Sequence, residues 1–427
     1  MEYQLRRWLV MAVPSVKAII NFSTGPSFAQ AFVIGVGVFG TNVLADSAAT
    51  IVDVSNQVDQ ISTQRGRNAQ SDQFQMGSMS MRIVDMNGDF NPQNASGPYY
   101  GLLSPMRKVQ ISASYGGVGY NIFSGFITSY STSTPKYVGD VVYTTIQAVD
   151  AFRLFQMAQV STITGAAAGD LTSTRIGQIL DTISWPASMR QIDTGNTTVQ
   201  ADPGTSRYGL AAMQTVETTE YGAFYINTDG VAEFHNRNYT TKSVAAKTPV
   251  VFADSGVGIR YFNAQWLFND TLVYNQANIT ATGLAKQTAT NAASVTKYFL
   301  HSYNQQNLLM QTTAEALNYA QAYVASRAET SSRVDAITLD LYAADYDAGI
   351  TASLSLDFFD PVTITTTQPG TGSSTSTLSK TLQVFGVSHQ ITTNSWKTTM
   401  TTLEPIIDGF IIGSSLYGIL GTSVLSY

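Results

Sequence analysis

Gly35, Gly37 and Gly40 stand in G-x-G-x-x-G spacing behind the apolar run Phe32, Val33, Ile34, with Asp53 downstream. In a dinucleotide fold the third glycine opens a helix, and alternating strands and helices follow. Hairpin-rich β sequence follows here instead, so the spacing reads as incidental and no cofactor is expected. Asp85, Asn87 and Asp89 place oxygen ligands at alternating positions, like the start of a calcium loop. They make a weak metal candidate, because the glycine at loop position six and the closing bidentate glutamate are missing. A tight Asn87-Gly88 turn accounts for them better. His235, His301 and His389 lie far apart, and the chain has no cysteine, so zinc-ligand spacing is absent. No G-x-S-x-G nucleophile elbow occurs. Glu217, Glu220 and Glu233 are the carboxylates that a fold could bring together as a glycosidase pair. The expectation is a chain with no catalytic residue, metal or cofactor.

The composition points the same way. The 427 residues carry 23 Lys+Arg and 29 Asp+Glu, a net charge of −6. Charged residues are 12% of the chain, about half the ~25% of an ordinary soluble domain. With 44% hydrophobic residues the chain has material for a core and is not of the disordered class, which pairs low hydrophobicity with high net charge. The acidic balance argues against a phosphate-gripping surface, which needs clustered Lys and Arg. Scarce charge suits surfaces covered by neighbours.

The elements that would position these residues are mostly strands. Val109 to Ser114 and Tyr120 to Ser129 flank Gly116-Gly117, a hairpin signal. Val142, Thr144, Ile146 and Ala148 alternate as in a half-buried strand, and Asp150 stands at an N-cap position before residues 151–155. Ile176, Ile179, Leu180 and Ile183 form an amphipathic helix stopped before Pro186, and Leu210, Met213 and Val216 suggest a second. Residues 223–226 and 231–234 bracket Asn227-Thr228-Asp229-Gly230 as a hairpin. Residues 240–307 read as strand-like. Thr312 and Glu315 make a capping box that opens a helix over 312–329, with Leu317, Ala320 and Val324 on one face. Strands resume from Val334, and the Gly/Ser/Thr-rich stretch 365–380 is expected to be a loop or hairpin tip. The division expected is an extended segment 1–45, a β-barrel-like region 46–160, a small α/β domain 161–240, a second β-barrel-like region 241–405 and an uncharged segment 406–427.

The two ends imitate targeting signals. Arg6-Arg7 precedes an apolar run, but Lys17 interrupts it and no small-x-small cleavage site follows, so it is not read as a signal peptide. Residues 409–427 carry no charge, yet four glycines and several serines make them only mildly apolar, and no stable membrane insertion is expected. The ends also echo each other. Phe32, Gly35, Gly40 and Thr41 recur as Phe410, Gly413, Gly421 and Thr422 in the pattern F-x-I-G … G-T-x-V-L. This suggests two extended docking segments that pack on equivalent surfaces.

A longer series of motifs carries a family resemblance. Val52-Asp53-Val54-Ser55, Arg65-Gly66-Arg67 and Asp85-Met86-Asn87-Gly88-Asp89-Phe90-Asn91-Pro92 are followed by Gly97-Pro98-Tyr99-Tyr100 and Phe123-Ser124-Gly125-Phe126. Trp185-Pro186, Thr219-Glu220-Tyr221-Gly222, Trp396 and Leu403-Glu404-Pro405 complete the order. It resembles the minor tail proteins of long-tailed phages, especially those infecting actinobacteria, at the tail tip or baseplate hub. The resemblance spans most of the chain, and the order of the motifs carries it rather than any one of them. It implies a mainly β fold with α+β insertions: tail-tube-like β-barrel hub domains around a small α/β domain. It also implies a homotrimer contacting the distal tail protein, the tape-measure protein and other minor tail or fibre proteins. Contact with a host receptor would be indirect, and genomic DNA would meet the hub only in passage. Arg65 and Arg67, with the echoed end residues, are the expected structural or interface positions, and Arg67 or Arg82 would pair with carboxylates to fix strand register. Two alternatives stay open: a carbohydrate- or receptor-binding tip protein, with Tyr99, Tyr100 or Trp266 stacking on sugars, and a hub with cell-wall-degrading activity, for which no motif is present.

Overall fold

A computed structural model describes residues 13–28, 50–67, 72–133, 141–239, 247–343, 346–369 and 375–404. The glycine-rich echo residues at 32–41 and 410–422 lie outside them.

The first part of the chain is built of strands: β1 Ser15–Asn21, β2 Ile51–Asp53, β3 Val58–Gly66, β4 Gln75–Val84, β5 Lys108–Tyr115, β6 Val118–Thr132 and β7 Tyr143–Val149. The β5–β6 turn is Gly116-Gly117, both at positive φ, as a two-residue hairpin requires. Along β7, Thr144, Ile146 and Ala148 are buried, as their alternation predicts.

The middle part is small and mixed. Helix α1 Phe152–Met157, strands β8 Gln159–Val160 and β9 Asp170–Leu171 and helix α2 Thr172–Thr182 are followed by β10 Arg190–Ile192, β11 Thr198–Val199 and β12 Arg207–Tyr208. Then come α3 Gly209–Glu220, β13 Ala223–Ile226 and β14 Ala232–His235. The N-cap of α1 is Ala151 rather than Asp150, which stands one residue earlier and accepts at Oδ1 from the Phe152 N–H at 2.9 Å. Ile176, Ile179 and Leu180 of α2 and Met213 and Val216 of α3 enter a core shared with Phe152, Phe155, Trp185 and Phe224.

The last part holds β15 Val250–Ala253, β16 Asn263–Leu267, β17 Gln276–Ala281, β18 Gln287–Thr290, α4 Ala292–Tyr298, β19 Ser302–Leu308 and α5 Thr313–Arg327. It ends with β20 Arg333–Asp340, α6 Asp347–Ser355, β21 Pro361–Pro369, β22 Thr375–Thr392 and β23 Ser395–Leu403. The capping box opens α5: Thr312 Oγ1 accepts from Glu315 N, and Glu315 accepts from Thr312 N. Its packed face is Ala316, Tyr319, Ala320, Tyr323 and Val324, with Leu317 only half-buried. Thr312→Ala is expected to cost about 1 kcal/mol, read as a lower denaturation midpoint. Helices α4 and α6 break the strand-only reading of their stretches; α4 is capped by Asn291, which accepts from Ser294 N.

Of the loop or hairpin tip expected over 365–380, the hairpin holds and the loop is corrected to strand at 365–369 and 375–380. β21 runs to Pro369 and β22 begins at Thr375, in continuous antiparallel register. Hydroxyl pairs across the two strands, Thr363 with Thr381 and Thr365 with Ser379, both 3.0 Å, align residues whose composition suggested a loop.

Thirteen strands form one sheet in the order β16-β20-β23-β22-β3-β4-β7-β6-β5-β1-β2, with β21 also on β22 and β15 parallel to β21. The sheet curls twice. Strand β2 leads through one short helical turn back into β3. At the other end, Trp266 on β16 donates to Thr366 on β21, whose hydroxyl is also hydrogen-bonded to that of Tyr261, which brings β16 back toward β21. Both β regions expected from the sequence thus join through β3 and β22, and their inner faces share one core that includes Ile61, Met81, Ile146, Val384, Trp396 and Met400.

Candidate functional site: the junction of the two β regions

Strand β22 is eighteen residues long because it changes partner along its length. Its first half, to Gln383, pairs with β21; from Gly386 onward it pairs with β3. The handover is a bulge, with register shifts at Val384/Gly386 and, on β3, at Gln64/Gly66. Gly66 has φ +102°, and a Cβ there would run into the carbonyl oxygen of Phe385 and the Cα of Gly386. That close approach lets Arg67 N donate to Phe385 O at 2.8 Å.

Arg65 and Arg67, picked from the sequence, flank Gly66, and both guanidiniums lie against the aromatic cluster of Phe74, Phe358 and Phe385. Arg65 is buried with Ile61 and Thr63. Its guanidinium donates to Asp357, closest 3.2 Å, and to Ile226 O at 3.3 Å, and lies 4.7 Å from the Phe358 ring. One cation therefore ties β3, the last residue of β13 and the segment leading into β21. Arg67 lies over Phe385 at 4.4 Å and Phe74 at 5.4 Å and donates to Asp72 O at 2.6 Å. Burial lowers its pKa, against the opposing pull of Asp72. The Asp72 carboxylate accepts from Arg327 at 2.6 Å and from Tyr323 Oη at 3.0 Å, and Arg327 also donates to that Tyr323 oxygen. Tyr323 stacks on Tyr303 at 3.8 Å. Helix α5 is fastened to the first β region by this network. Arg82 pairs with Asp59 across β3 and β4, as expected for a register-setting pair.

The remaining titratable groups near the junction are committed to the fold. Glu217 Oε1 accepts from Phe224 N at 2.8 Å. Glu220 accepts from Thr172 Oγ1 at 2.7 Å and from the N–H groups of Asn196 and Thr197. Glu233 accepts from Tyr225 and Asn227, both 2.6 Å. His235 is held between Asp193 at 2.7 Å and Tyr225 Oη at 2.9 Å, with Tyr239 stacked on its ring at 3.6 Å. These three glutamates staple helix ends, turns and strands; each one's hydrogen bonds run to its own surroundings.

Burial pushes the Glu217 carboxyl up to about 8, opposed by Phe224 N–H and Arg67. Asp150 is raised to about 7 by burial, opposed by the N–H groups of Gly77 and Phe152. A folded-state pKa above the unfolded value means that the native chain holds a proton the unfolded chain releases. Stability is then highest below the unfolded carboxylate pKa and falls as pH rises toward about 8, by up to about 1.4 kcal/mol per unit and group. Glu217→Gln, neutral at every pH, is expected to flatten that decline in urea midpoints measured between about pH 5 and pH 8.

The weak metal candidate takes another role. Asp85 is buried, and its two oxygens accept from Asp89 N at 2.7 Å, Phe90 N at 3.2 Å and Thr144 Oγ1 at 2.7 Å. It organises the Asn87-Gly88 turn, where Gly88 has φ +68°. Among the described residues no group of three His, Asp or Glu is placed to hold a metal ion, and no helix is long and apolar enough to cross a membrane. Tyr99 packs against Phe22 and Phe90, Trp266 donates to Thr366, and Tyr100 is exposed. Sequence reasoning found the junction's two arginines but missed Asp72, Arg327 and Asp357, which no local spacing connects to them.

No protein-family model matches the sequence, and no curated protein matches it. Solved structures do match. The tail protein from Neisseria meningitidis MC58 superposes with a TM-score of 0.57 over 92% of this chain and 98% of that one, at 9% identity. The 43 kDa tail protein of prophage MuSo2 from Shewanella oneidensis gives 0.52 over 84% and 96%, at 10% identity. The chain has the fold of these tail proteins. Its mainly β architecture with α+β insertions is the one the sequence led us to expect, although the two β regions expected separately form one large sheet; the match runs through nearly the whole length of both proteins.

Proposed function

We propose that the chain is a structural protein of a phage tail, the hub at the distal tip of a long-tailed phage of the actinobacterial type. There it caps or extends the tail tube and anchors the tape-measure protein, the distal tail protein and the receptor-binding or fibre proteins. The observation that supports this most is the near end-to-end match to the fold of two tail proteins. The motif order in the sequence supports the finer placement. In this reading the β regions at 46–160 and 241–405 are tube-wall units, 161–240 is the α/β unit between them in sequence, and 1–45 and 406–427 are docking segments.

The role is mechanical rather than enzymatic. A hub bears load along the tail, and a junction in which two arginines and a glycine-lined bulge lock the β regions together suits that demand. Three copies, matching a hexameric tube with two β regions each, would carry −18 at −6 apiece, a weakly acidic assembly that does not hold DNA in transit. Contact with a receptor would pass through the proteins it anchors. Light scattering of the purified chain should give three times the chain mass, and mass spectrometry of purified tails should detect it. A stable monomer absent from tails contradicts the proposal.

A further inference from the structure

Beside the junction lies a cavity of about 370 Å³, within the roughly 300–1,000 Å³ of small-molecule sites. Its floor is the inner face of the sheet, with Arg65 on β3 and Val387 and His389 on β22. Its walls are the end of α6 and the residues after it, from Ser353 to Asp357, the start of β6 at Tyr120 and Asn121, and the Thr228-Asp229 turn.

The chemistry of this lining is that of a site for neutral hydroxyl groups. Ser353 is 1% exposed, and its Oγ has no hydrogen-bond partner among the described residues. Buried polar atoms are normally satisfied, so an orphan hydroxyl at a cavity wall points to a missing partner. His389 has a fixed tautomer. The Trp396 indole N–H, which can only donate, bonds to Nδ1 at 3.2 Å, so the ring proton sits on Nε2. Burial and the nearby Arg65 charge keep the ring neutral, with its pKa lowered to about 3. Arg65 is neutralised by Asp357, whose side chain is still 35% exposed and has lone pairs left over. Asp229 accepts from Asn121 at the rim. The formal charges of Arg65, Asp229 and Asp357 sum to −1, which disfavours an anion. The buried arginine and the His389 N–H disfavour a cation. An apolar ligand would leave these groups unpaired at a cost of about 1–3 kcal/mol each. Groups that both donate and accept fit donors and carboxylates side by side, and Tyr120 adds an aromatic wall.

We propose that this cavity binds a neutral polyhydroxylated ligand, a saccharide unit, with Ser353, His389, Asp229 and Asp357 as its hydrogen-bonding residues. This rests on the cavity itself and does not require the tail assignment.

The test is saturation-transfer NMR on the full chain with glucose, galactose, mannose, arabinose and N-acetylglucosamine at millimolar concentration. At least one sugar is expected to receive saturation. Its affinity should fall roughly tenfold or more in Ser353→Leu, which removes the wall hydroxyl and intrudes on the cavity, and in Asp229→Ala, which removes a rim acceptor. Asp229→Ala lies in an exposed turn and keeps the test decisive if Ser353→Leu fails to fold. No transfer to any of the five sugars overturns the proposal. So does binding that both folded variants leave unchanged.

Discussion

Gly66→Ala is expected to lower stability by more than about 4 kcal/mol, the range reserved for mutations that break a specific structural device. Left-handed backbone alone costs an L-residue about 1–2 kcal/mol. The larger part comes from geometry: the new Cβ meets the Phe385 carbonyl and the Gly386 Cα, both backbone atoms that cannot rotate away. The strands must part where β22 passes from β21 to β3, and the Arg67–Phe385 bond parts with them. Gly101→Ala is the control. Gly101 also has positive φ, at +80°, but a Cβ there meets nothing within 4 Å. Urea denaturation of the two variants should separate strain from collision. Equal losses would show that the handover tolerates a side chain and that the junction is not built as described.

Arg327→Ala is expected to cost about 3 kcal/mol, the lower end of what breaking a buried ion pair costs. The lower end applies because the Asp72 side chain keeps 23% of its surface in water. The variant leaves the Asp72 carboxylate with Tyr323 as its side-chain donor and removes the bond that orients that hydroxyl. Arg327→Lys should recover only part of the loss, since one ammonium cannot reproduce the fork that reaches both Asp72 and Tyr323. The double replacement Arg327→Met with Asp72→Leu should lose much less stability than the sum of the two single replacements, because it leaves no buried charge unpaired. Additive losses in this cycle would mean that the two groups do not act together.

What the sequence revealed and what it hid divide along chain distance. The Gly116-Gly117 hairpin, the α2 stripe, the hairpin around Asn227 and the Thr312 capping box are encoded within a few residues, and each forms where its local chemistry says. The β3–β22 pairing is not. It joins Gly66 to Gly386 in a register that no periodicity could announce. The same holds for the site: Arg65 and Arg67 stood out as cations in a strand, but Asp357 lies 292 residues from Arg65. Arg327 lies 255 residues from Asp72. The stretch 365–380 misled for a different reason. Its Ser and Thr residues suit loops by composition, yet they are also β-branched or hydroxyl partners that pair well across a ladder. Glu217, Glu220 and Glu233 looked like candidates for hydrolysis because sequence shows the carboxylate and not its hydrogen bonds.

The central claim is that this fold serves as the hub of a phage tail tip. A cryo-EM map of the intact tail tests it most directly. The account predicts density for this chain at the distal end, three copies around the tail axis, with the large curled sheet forming the tube wall. A tail whose tip density is fully explained by other proteins, with this chain elsewhere or missing, would contradict it.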